Sequence, residues 1–209
     1  MFITFEGIDG AGKTTILDGL CQQLTDKNVP FCRTREPGGS SLGLALREKI
    51  LYAAEKLDSR SELFLFLADR AQHVAEVILP ALKSKMLVLC DRYFDSTLAY
   101  QGYAQGLDLE ELRFLNAIAT QNLLPDLTFL FDLDVKISLK RVHGRQSNAG
   151  EIAYDRFDHE TMLFHERVRA GYLEEAKLNQ NRYVKIDASQ PLEDVLANCS
   201  QILWERLAQ

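Results

Sequence analysis

A short stretch near the N-terminus has the composition of a phosphate-binding loop. Residues 7–14 read Gly-Ile-Asp-Gly-Ala-Gly-Lys-Thr, the complete pattern Gly-x-x-x-x-Gly-Lys-Thr. Its glycines let the backbone bend until several N–H groups point at one anion, and a following helix N-terminus adds partial positive charge. In this pattern the lysine reaches the β- and γ-phosphates of a nucleotide, and the threonine hydroxyl reaches Mg²⁺. The residues predicted to bind ATP here are Gly7, Ile8, Asp9, Gly10, Ala11, Gly12, Lys13, Thr14 and Thr15.

A carboxylate further along the chain completes this prediction. Asp91 ends the apolar run Met86-Leu-Val-Leu-Cys. A carboxylate at the carboxyl end of a buried strand can hold Mg²⁺ directly or through water. Thr14 and Asp91 are therefore the predicted metal-binding residues. The alternative is that Asp91 only caps the helix after it.

Three further clusters indicate a second ligand. Arg35-Glu36-Pro37-Gly38-Gly39 can present a cation and backbone N–H groups to a second phosphate. Phe66, Arg70 and His73 share one helix face, which suits stacking on a base and donating to its carbonyl. The alternative is that Phe66 belongs to the core, Arg70 to a surface ion pair and His73 to the structure alone. The stretch 91–102 brings an arginine, hydroxyls and an amide beyond a strand end.

These clusters alternate with segments that predict a parallel sheet. Continuous apolar runs are typical of strands covered on both faces. The predicted strands are Phe2–Glu6, Phe31–Thr34, Met86–Asp91, Leu127–Asp132 and Tyr183–Asp187. Helical patterns cover Thr14–Leu24, Leu42–Ala54, Ser61–Lys83, Leu109–Thr120, Val135–Val142, His159–Leu178 and Leu192–Leu207. This alternation predicts a doubly wound, five-stranded parallel α/β sheet flanked by helices, with ligands beyond the carboxyl ends of the strands.

Composition limits the class of protein. The chain has 209 residues, 46% hydrophobic and 26% charged, and we expect one domain over residues 1–209. Apolar runs are too short to span a bilayer, no signal peptide is recognisable, and four scattered cysteines are typical of a reducing cytosol. We therefore expect a cytoplasmic protein without a membrane partner. The net charge of −6 argues against a general nucleic-acid binder.

Taken together, the motifs resemble the bacterial-type thymidylate kinases, within the P-loop nucleoside monophosphate kinases. The resemblance covers about Phe2 to Leu196, and its motifs are jointly specific although the phosphate loop alone is not. The matching segments are 7–15, 35–39, Asp91-Arg92-Tyr93 with Ser96-Thr97-x-Ala99-Tyr100-Gln101-Gly102, Pro125-Asp126-Leu127-Thr128, and Phe164-His165-x-Arg167-Val168-Arg169-x-Gly171-Tyr172. The resemblance implies ATP and Mg²⁺ as donor and cofactor, dTMP as acceptor, and a homodimer.

The resemblance also implies roles around the acceptor. Phe66 would stack on thymine, Arg70 would bond its O4, and Tyr100 would crowd the 2′-position and favour deoxyribose. Arg92 would grip the acceptor phosphate, and Asp9 would contact the 3′-hydroxyl region. The full set expected to bind dTMP is Asp9, Arg35, Pro37, Phe66, Arg70, Arg92, Ser96, Thr97, Tyr100 and Gln101.

The resemblance further implies a mobile, arginine-bearing lid at about residues 141–158. Arg145 and Arg156 are its candidates for contacting the transferred phosphoryl group, so the expected catalytic residues are Lys13, Arg92, Arg145 and Arg156. Arg141 and the loop containing Ala188 would lie beside the adenine of ATP. The stretch between Arg145 and Asp155 is longer and less basic than the family pattern, and Phe157-Asp158 stands where Ile-Glu is usual. Which lid arginine contacts the phosphoryl group therefore stays open.

The expected reaction is dTMP + ATP → dTDP + ADP. The attacking phosphate oxygen is already ionised, since a phosphomonoester loses its second proton near pH ~6, so no general base is expected. A kinase of another nucleotide or nucleoside is the nearer alternative, and the pair Phe66 and Arg70 with Tyr100 counts against it. A regulatory protein that only binds ATP is the other, and Arg92 with an arginine-bearing lid counts against that.

Overall fold

Five parallel strands form the centre of the molecule. The structure is a computed structural model that describes residues 1–52, 57–149, 156–158 and 160–208, and for residues 145–149 it describes the backbone only. The strand order is β2-β3-β1-β4-β5. The strands are β1 (Phe2–Glu6), β2 (Phe31–Arg35), β3 (Leu87–Asp91), β4 (Leu127–Asp132) and β5 (Tyr183–Asp187). All five predicted strands are confirmed, with boundaries that differ by at most one residue.

The central strand explains why the apolar runs are continuous. β1 pairs in parallel with β3 on one side and with β4 on the other. Along β3, Leu87 and Leu89 belong to one buried cluster, whereas Val88 and Cys90 belong to the other. Successive side chains of a strand point to opposite faces of the sheet, so both faces are covered by apolar packing. The predicted fold class is confirmed, and the strand ends meet at one edge, where Phe5 pairs with Asp91.

Helices flank this sheet, and several begin at side-chain caps. Ser40, Asp58, Asp108 and Thr161 each accept a hydrogen bond from a backbone N–H in the first turn of the helix that follows. The helices are α1 (Lys13–Asp26), α2 (Ser41–Leu51), α3 (Ser59–His73), α4 (Leu79–Lys83), α5 (Phe94–Thr97), α6 (Leu109–Thr120), α7 (Val135–Ala149), α8 (Met162–Leu178) and α9 (Leu192–Leu207). No helix in the described part of the chain is long and apolar enough to cross a membrane.

The predicted helix Ser61–Lys83 is not one uniform helix. α3 ends at His73, and α4 begins at Leu79, with the π-helical stretch Val74–Ile78 between them. Pro80 lies in the first turn of α4. Because proline has no N–H and its ring collides with the carbonyl four residues earlier, a regular α-helix cannot continue through it. The wider π-helical turn accommodates this local conflict.

Other predicted boundaries were wrong. The helix predicted over Leu42–Ala54 ends at Leu51, and Ala54 lies outside the described residues. The helix predicted over Val135–Val142 extends to Ala149, into the proposed lid. The helix predicted from His159 begins at Met162, because Thr161 caps it.

A helical segment after β3 was missed entirely. α5 continues as the π-helical stretch Leu98–Ala104, and the whole segment lies beside the strand ends. Its apolar periodicity is hidden because the buried positions include polar residues such as Asp95, Thr97 and Gln101.

A buried ion pair connects this segment to the chain beside β4 and β5. The Nη1 and Nη2 atoms of Arg182 donate to the Oδ2 and Oδ1 atoms of Asp95, both at 2.8 Å. Arg182 also donates to the Thr128 hydroxyl on β4 at 2.8 Å. Asp95 is fully buried. The two-fold contact satisfies a carboxylate that burial would otherwise destabilise.

Replacing Arg182 with methionine should therefore lower stability, because it leaves Asp95 buried and unpaired. We expect a loss of about 3–5 kcal/mol in the free energy of unfolding, measured by urea denaturation. Lys177→Met is the matched control, since Lys177 pairs with Glu174 at the surface, where such pairs contribute roughly 0–1 kcal/mol. Equal losses in the two variants would contradict a special role for the buried pair.

Candidate active site

A cavity of about 490 Å³ lies beyond the carboxyl ends of β1, β2 and β3. It is lined by Lys13 and Thr14 of the phosphate loop, by the turn after β2, by α3 and by the helical segment after β3. Every residue expected to bind dTMP lines this one cavity: Asp9, Arg35, Pro37, Phe66, Arg70, Arg92, Ser96, Thr97, Tyr100 and Gln101. The structure thus brings together residues that are scattered over most of the first half of the sequence.

The phosphate loop packs closely on its surroundings. At Gly7 a Cβ atom would lie 2.5 Å from the carbonyl oxygen of Phe131, and at Gly10 it would lie 2.7 Å from that of Ser138. Both glycines have positive φ angles. Glycine is therefore required at these positions for space as well as for backbone conformation.

Lys13 occupies the centre of this loop. Its Nζ donates to the carbonyl oxygens of Gly7 and Ile8, each at 3.0 Å. Burial, followed by repulsion from Arg92, lowers the pKa of Lys13 from 10.5 to about 8. An incoming phosphate anion would favour the charged ammonium group, so this position suits a ligand of high negative charge.

The two predicted metal-binding residues lie in direct contact. The Thr14 hydroxyl donates to Asp91 Oδ2 at 2.8 Å. A hydroxyl and a carboxylate are hard oxygen ligands of the kind that Mg²⁺ prefers, and Mg²⁺ is usually held by few protein groups together with substrate phosphates. The described residues contain no group of three or more His, Cys, Asp or Glu that could hold a metal. The residues present fit Mg²⁺.

Arg92 connects the end of β3 to the phosphate loop. It has a φ of 70°, a left-handed conformation that is rare for a residue with a side chain. Its Nη1 donates to the Gly7 carbonyl oxygen and to the Tyr172 hydroxyl, both at 2.9 Å. Its Nη2 donates to Asp9 Oδ1 at 2.6 Å. The guanidinium group is thus fixed beside the phosphate loop and faces the cavity.

Asp9 receives a second contact at its other carboxylate oxygen. The Tyr100 hydroxyl donates to Asp9 Oδ2 at 2.8 Å. Burial by itself would raise the pKa of Asp9, but the charges of Arg92 and Lys13, with the hydrogen bonds from Tyr100 and Arg92, lower it below its ordinary value. Asp9 is therefore a stable anion that orients both Arg92 and Tyr100.

Arg70 is held rigidly at the other end of the cavity. Its Nε donates to Glu36 Oε2 at 2.7 Å, and its Nη2 approaches the same oxygen at 2.7 Å. Its Nη1 donates to the Thr97 hydroxyl and to Asn116 Oδ1. Hydrogen bonds to described residues thus occupy Nε and Nη1, whereas Nη2 makes an ion-pair contact with Glu36 and keeps donor capacity towards the cavity.

His73 lies behind this arrangement, outside the cavity lining. Its Nε2 is 2.6 Å from the Thr34 hydroxyl, and its Nδ1 is 2.9 Å from Glu36 Oε1. The position of His73 therefore agrees with the alternative in which this residue has only a structural role. Arg70 does not form the surface ion pair of the other alternative, because Arg70 and Glu36 are both buried.

Sequence reasoning missed a buried carboxylate behind Arg92. Glu6, the last residue of β1, is fully buried. Its Oε2 accepts from the Ser96 hydroxyl at 2.7 Å and from the Tyr172 hydroxyl at 3.0 Å. Both hydroxyls also contact Arg92 Nη1. A glutamate inside an apolar strand directly before the phosphate loop was the sequence signal that could have identified it.

The lid arginines differ in what surrounds them. Arg141 Nη1 donates to the Ala188 carbonyl oxygen at 3.2 Å, so these two predicted neighbours of adenine do lie together. Arg156 points away from the phosphate loop: its Nε donates to the Ile50 carbonyl oxygen at 2.6 Å, and its Nη2 pairs with Glu62 Oε2. The structure therefore does not bring Arg156 to the cavity. The side chain of Arg145 lies outside the described residues.

Phe157 is a further wall of the cavity that the motifs did not identify. It is buried and lines the cavity, and its ring meets the Tyr100 ring edge-on, with 5.3 Å between the centroids. An aromatic residue in place of the usual Ile was visible in the sequence as a departure from the family pattern. The structure shows that the larger ring packs on a residue expected to contact the sugar.

The fold and the site together define a class. A phosphate loop between a parallel strand and a helix, a hydroxyl and carboxylate suited to Mg²⁺, and an arginine-lined cavity beside them are the parts of a P-loop phosphotransferase. The comparisons with known proteins then identify the family. The thymidylate kinase family model matches residues 5–199, and the chain belongs to that family.

The sequences of individual relatives match this chain over nearly its whole length. A thymidylate kinase of Desulfovibrio desulfuricans is 56% identical over 201 residues, which are 95% of this chain and 93% of the relative. That of Solidesulfovibrio magneticus is 51% identical over 199 residues, 94% of this chain and 95% of the relative. A crystal structure of thymidylate kinase from Ehrlichia chaffeensis is similar with a TM-score of 0.77 and 37% identity, covering 98% of each chain.

The buried position of Glu6 predicts a pH effect on stability. Burial, and next the charge of Asp95, raises the pKa of Glu6 from 4.5 to about 7, although Arg92, Ser96 and Tyr93 oppose the rise. Between these two values the folded state keeps a proton that the unfolded state has lost, so stability falls as the pH rises through this range.

Glu6→Gln removes this titration. We therefore expect the free energy of unfolding of the variant, relative to the parent, to increase from about pH 4.5 to about pH 7 and then to level off. Urea denaturation of both proteins at half-unit pH steps measures the difference. A difference that stays constant across this range would contradict the assignment.

Proposed function

We propose that this protein transfers the γ-phosphoryl group of MgATP to dTMP, giving dTDP and ADP, a step in dTTP synthesis. The observation that carries the proposal is the single cavity beside Lys13 that contains every residue expected to bind dTMP. The family to which the chain belongs supports the choice of this acceptor. A kinase of another nucleotide or nucleoside, and an ATP-binding regulator, are not favoured by any feature of the site.

Two fixed cations suit the transfer. Lys13 would neutralise charge on the β- and γ-phosphates, and Arg92, held by Asp9 and Gly7, would hold the acceptor phosphate in line. The acceptor oxygen is already ionised near neutral pH, so no group has to remove a proton from it. The protein has only to position the two phosphates and neutralise their charge. Mg²⁺, held by Thr14 and Asp91, would supply further charge neutralisation at the phosphates.

The far end of the cavity suits thymine. Phe66 offers a ring for stacking, and Arg70 Nη2 can donate to the O4 carbonyl of the base. The amine of cytosine at the same place would set a donor against a buried donor, which is costly. Tyr100, fixed by Asp9, would crowd the 2′-position of a ribose.

A lid arginine would complete the neutralisation of the transferred group, and Arg145 and Arg156 are both candidates. Arg156 would have to leave Glu62 and Ile50 to take this role. An arginine that acts in the transition state affects kcat more than KM. Loss of kcat in only one of the two single alanine variants would assign the role, and loss in neither would exclude both.

The direct test is ADP release with ATP, Mg²⁺ and a panel of dTMP, dUMP, dCMP, dGMP, UMP and the ribose form of TMP. We expect the highest kcat/KM for dTMP, with dUMP lower by only about 1–3 kcal/mol in the barrier because it lacks one methyl group. Lys13→Ala is the control, expected to remain folded and to lose at least about tenfold in rate. A higher kcat/KM for dCMP or a ribonucleotide would contradict the proposed base and sugar contacts.

We also infer a homodimer. Large apolar side chains are exposed on two neighbouring helices: Phe64 on α3, and Phe114 and Ile118 on α6, at 58%, 65% and 61% exposure. Phe114 and Ile118 are one helical turn apart and form part of one apolar face. Exposed apolar faces of this kind mark contact surfaces between proteins.

Light scattering should give the molar mass of two chains, and the double variant Phe114→Glu/Ile118→Glu should give that of one. Leu178→Glu, at an exposed apolar residue of α8, is the matched control and should stay dimeric. A single-chain mass for the parent would contradict the dimer.

A cytoplasmic location is inferred from the cysteines. Cys21, Cys32, Cys90 and Cys199 are all free thiols, as is typical of a reducing compartment. Recovery of the protein outside the cytosolic fraction of the cells that make it would contradict this location.

A further inference from the structure

Glu62 is a buried carboxylate that does not line the cavity but contacts a residue that does. It lies in the first turn of α3, one helical turn before Phe66 and two before Arg70, on the same side of the helix. It is only 2% exposed. Neither the motifs nor the proposed reaction uses it.

The two oxygens of Glu62 have different partners. Oε1 accepts from Gln101 Nε2 at 2.6 Å and from Gln105 Nε2 at 3.0 Å, whereas Oε2 pairs with Arg156 Nη2. A carboxylate paired with a guanidinium group can only accept hydrogen bonds. The Gln101 atom facing it must therefore be the NH₂ group, and chemistry alone fixes which way this amide points.

The remaining atom of that amide is its oxygen. Gln101 lines the cavity, and no described residue donates to its Oε1. Gln101 also follows Thr97 by one helical turn, and the Thr97 hydroxyl contacts Arg70 Nη1. Gln101 Oε1 is thus an acceptor on the part of the wall next to the Arg70 donor.

We propose that Glu62 is a positioning residue for base selection: it turns the Gln101 amide so that an acceptor faces N3 of the bound base. Thymine carries a hydrogen on N3, which this oxygen can accept, whereas N3 of cytosine is itself an acceptor. Arg70 and Gln101 then read neighbouring atoms of the same edge. This inference rests on the proposed dTMP kinase activity and deepens it.

An isosteric variant tests the role. Arg156 Nη2 faces Glu62 as an ion pair and has no hydrogen-bond partner among the described residues. In Glu62→Gln, its positive charge favours the oxygen of the new amide over the NH₂ group, so the amide turns its oxygen towards Arg156 and its NH₂ towards Gln101. Gln101 must then turn over and present its own NH₂ to the base. Gln105, whose Oε1 is buried without a partner among the described residues, can turn in the same way.

The measured quantity is the ratio of kcat/KM for dTMP to that for 5-methyl-dCMP, two substrates that differ only at N3 and C4 of the base. We expect Glu62→Gln to lower this ratio by about tenfold or more, since a donor then faces the N3 hydrogen of thymine. A purely structural role would lower stability, measured as Tm, and leave the ratio unchanged. That result would overturn the proposal.

A second substitution should restore the ratio. In Glu62→Gln/Arg156→Met no guanidinium group holds the new amide, so its oxygen is free to accept from Gln101 again. Arg156→Met alone is the matched control and should leave the ratio unchanged, because Glu62 keeps both acceptors. Any general effect of losing Arg156 on phosphoryl transfer cancels in a ratio of two substrates. A double variant whose ratio stays low would overturn the proposed turning of the amide.

Gln101→Met provides a separate test that does not depend on whether the Glu62 variants fold. It removes the acceptor and should lower the same ratio, and an unchanged ratio would show that Gln101 does not read N3. If the parent releases no ADP with dTMP, the proposed function itself fails. If the parent is active but these ratios do not change, only the role of Glu62 fails.

Discussion

The contact between Arg92 and the phosphate loop is the constraint on which the site depends. The Arg92 side chain joins the end of β3 to Gly7 and Asp9, which follow β1. The parallel pairing of β1 with β3 makes this possible, since it sets Phe5 beside Asp91 and so brings both strand ends to one edge. One guanidinium group therefore joins the two strand ends beside the phosphate loop, from a residue with a left-handed backbone.

A common arrangement recurs behind the polar groups of the cavity. Buried carboxylates hold groups that line the cavity: Glu36 holds Arg70, Glu62 holds Gln101, and Glu6 reaches Arg92 through the hydroxyls of Ser96 and Tyr172. Side chains that are already bonded lose little freedom when a ligand arrives, and donors aimed in advance require no reorganisation. The cost is a buried carboxylate in the folded state, and burial accordingly raises the pKa of Glu6.

Much of the fold and of the candidate site could be predicted from local patterns in the sequence. The five strands were predicted within one residue, and every residue expected to bind dTMP lines one cavity. Helix boundaries were less predictable. One predicted helix is interrupted by a π-helical stretch just before Pro80, and another begins three residues later than predicted because Thr161 caps it. The helical segment Phe94–Ala104 was missed because its buried residues serve the site, and their polarity hides the apolar period.

The sequence by itself determined the phosphate loop, the strands and the edge of the sheet where the cavity lies, because each depends on residues that are adjacent in the chain. Only the tertiary structure decided what holds the site residues in place. Glu36 reaches Arg70 across 34 positions, Glu62 reaches Gln101 across 39, and Glu6 reaches Tyr172 across 166. Likewise, only the fold showed that Arg156 pairs with Glu62 away from the phosphate loop. A buried charge is stabilised by whichever partner the packing brings within hydrogen-bonding distance, and no local spacing specifies that partner.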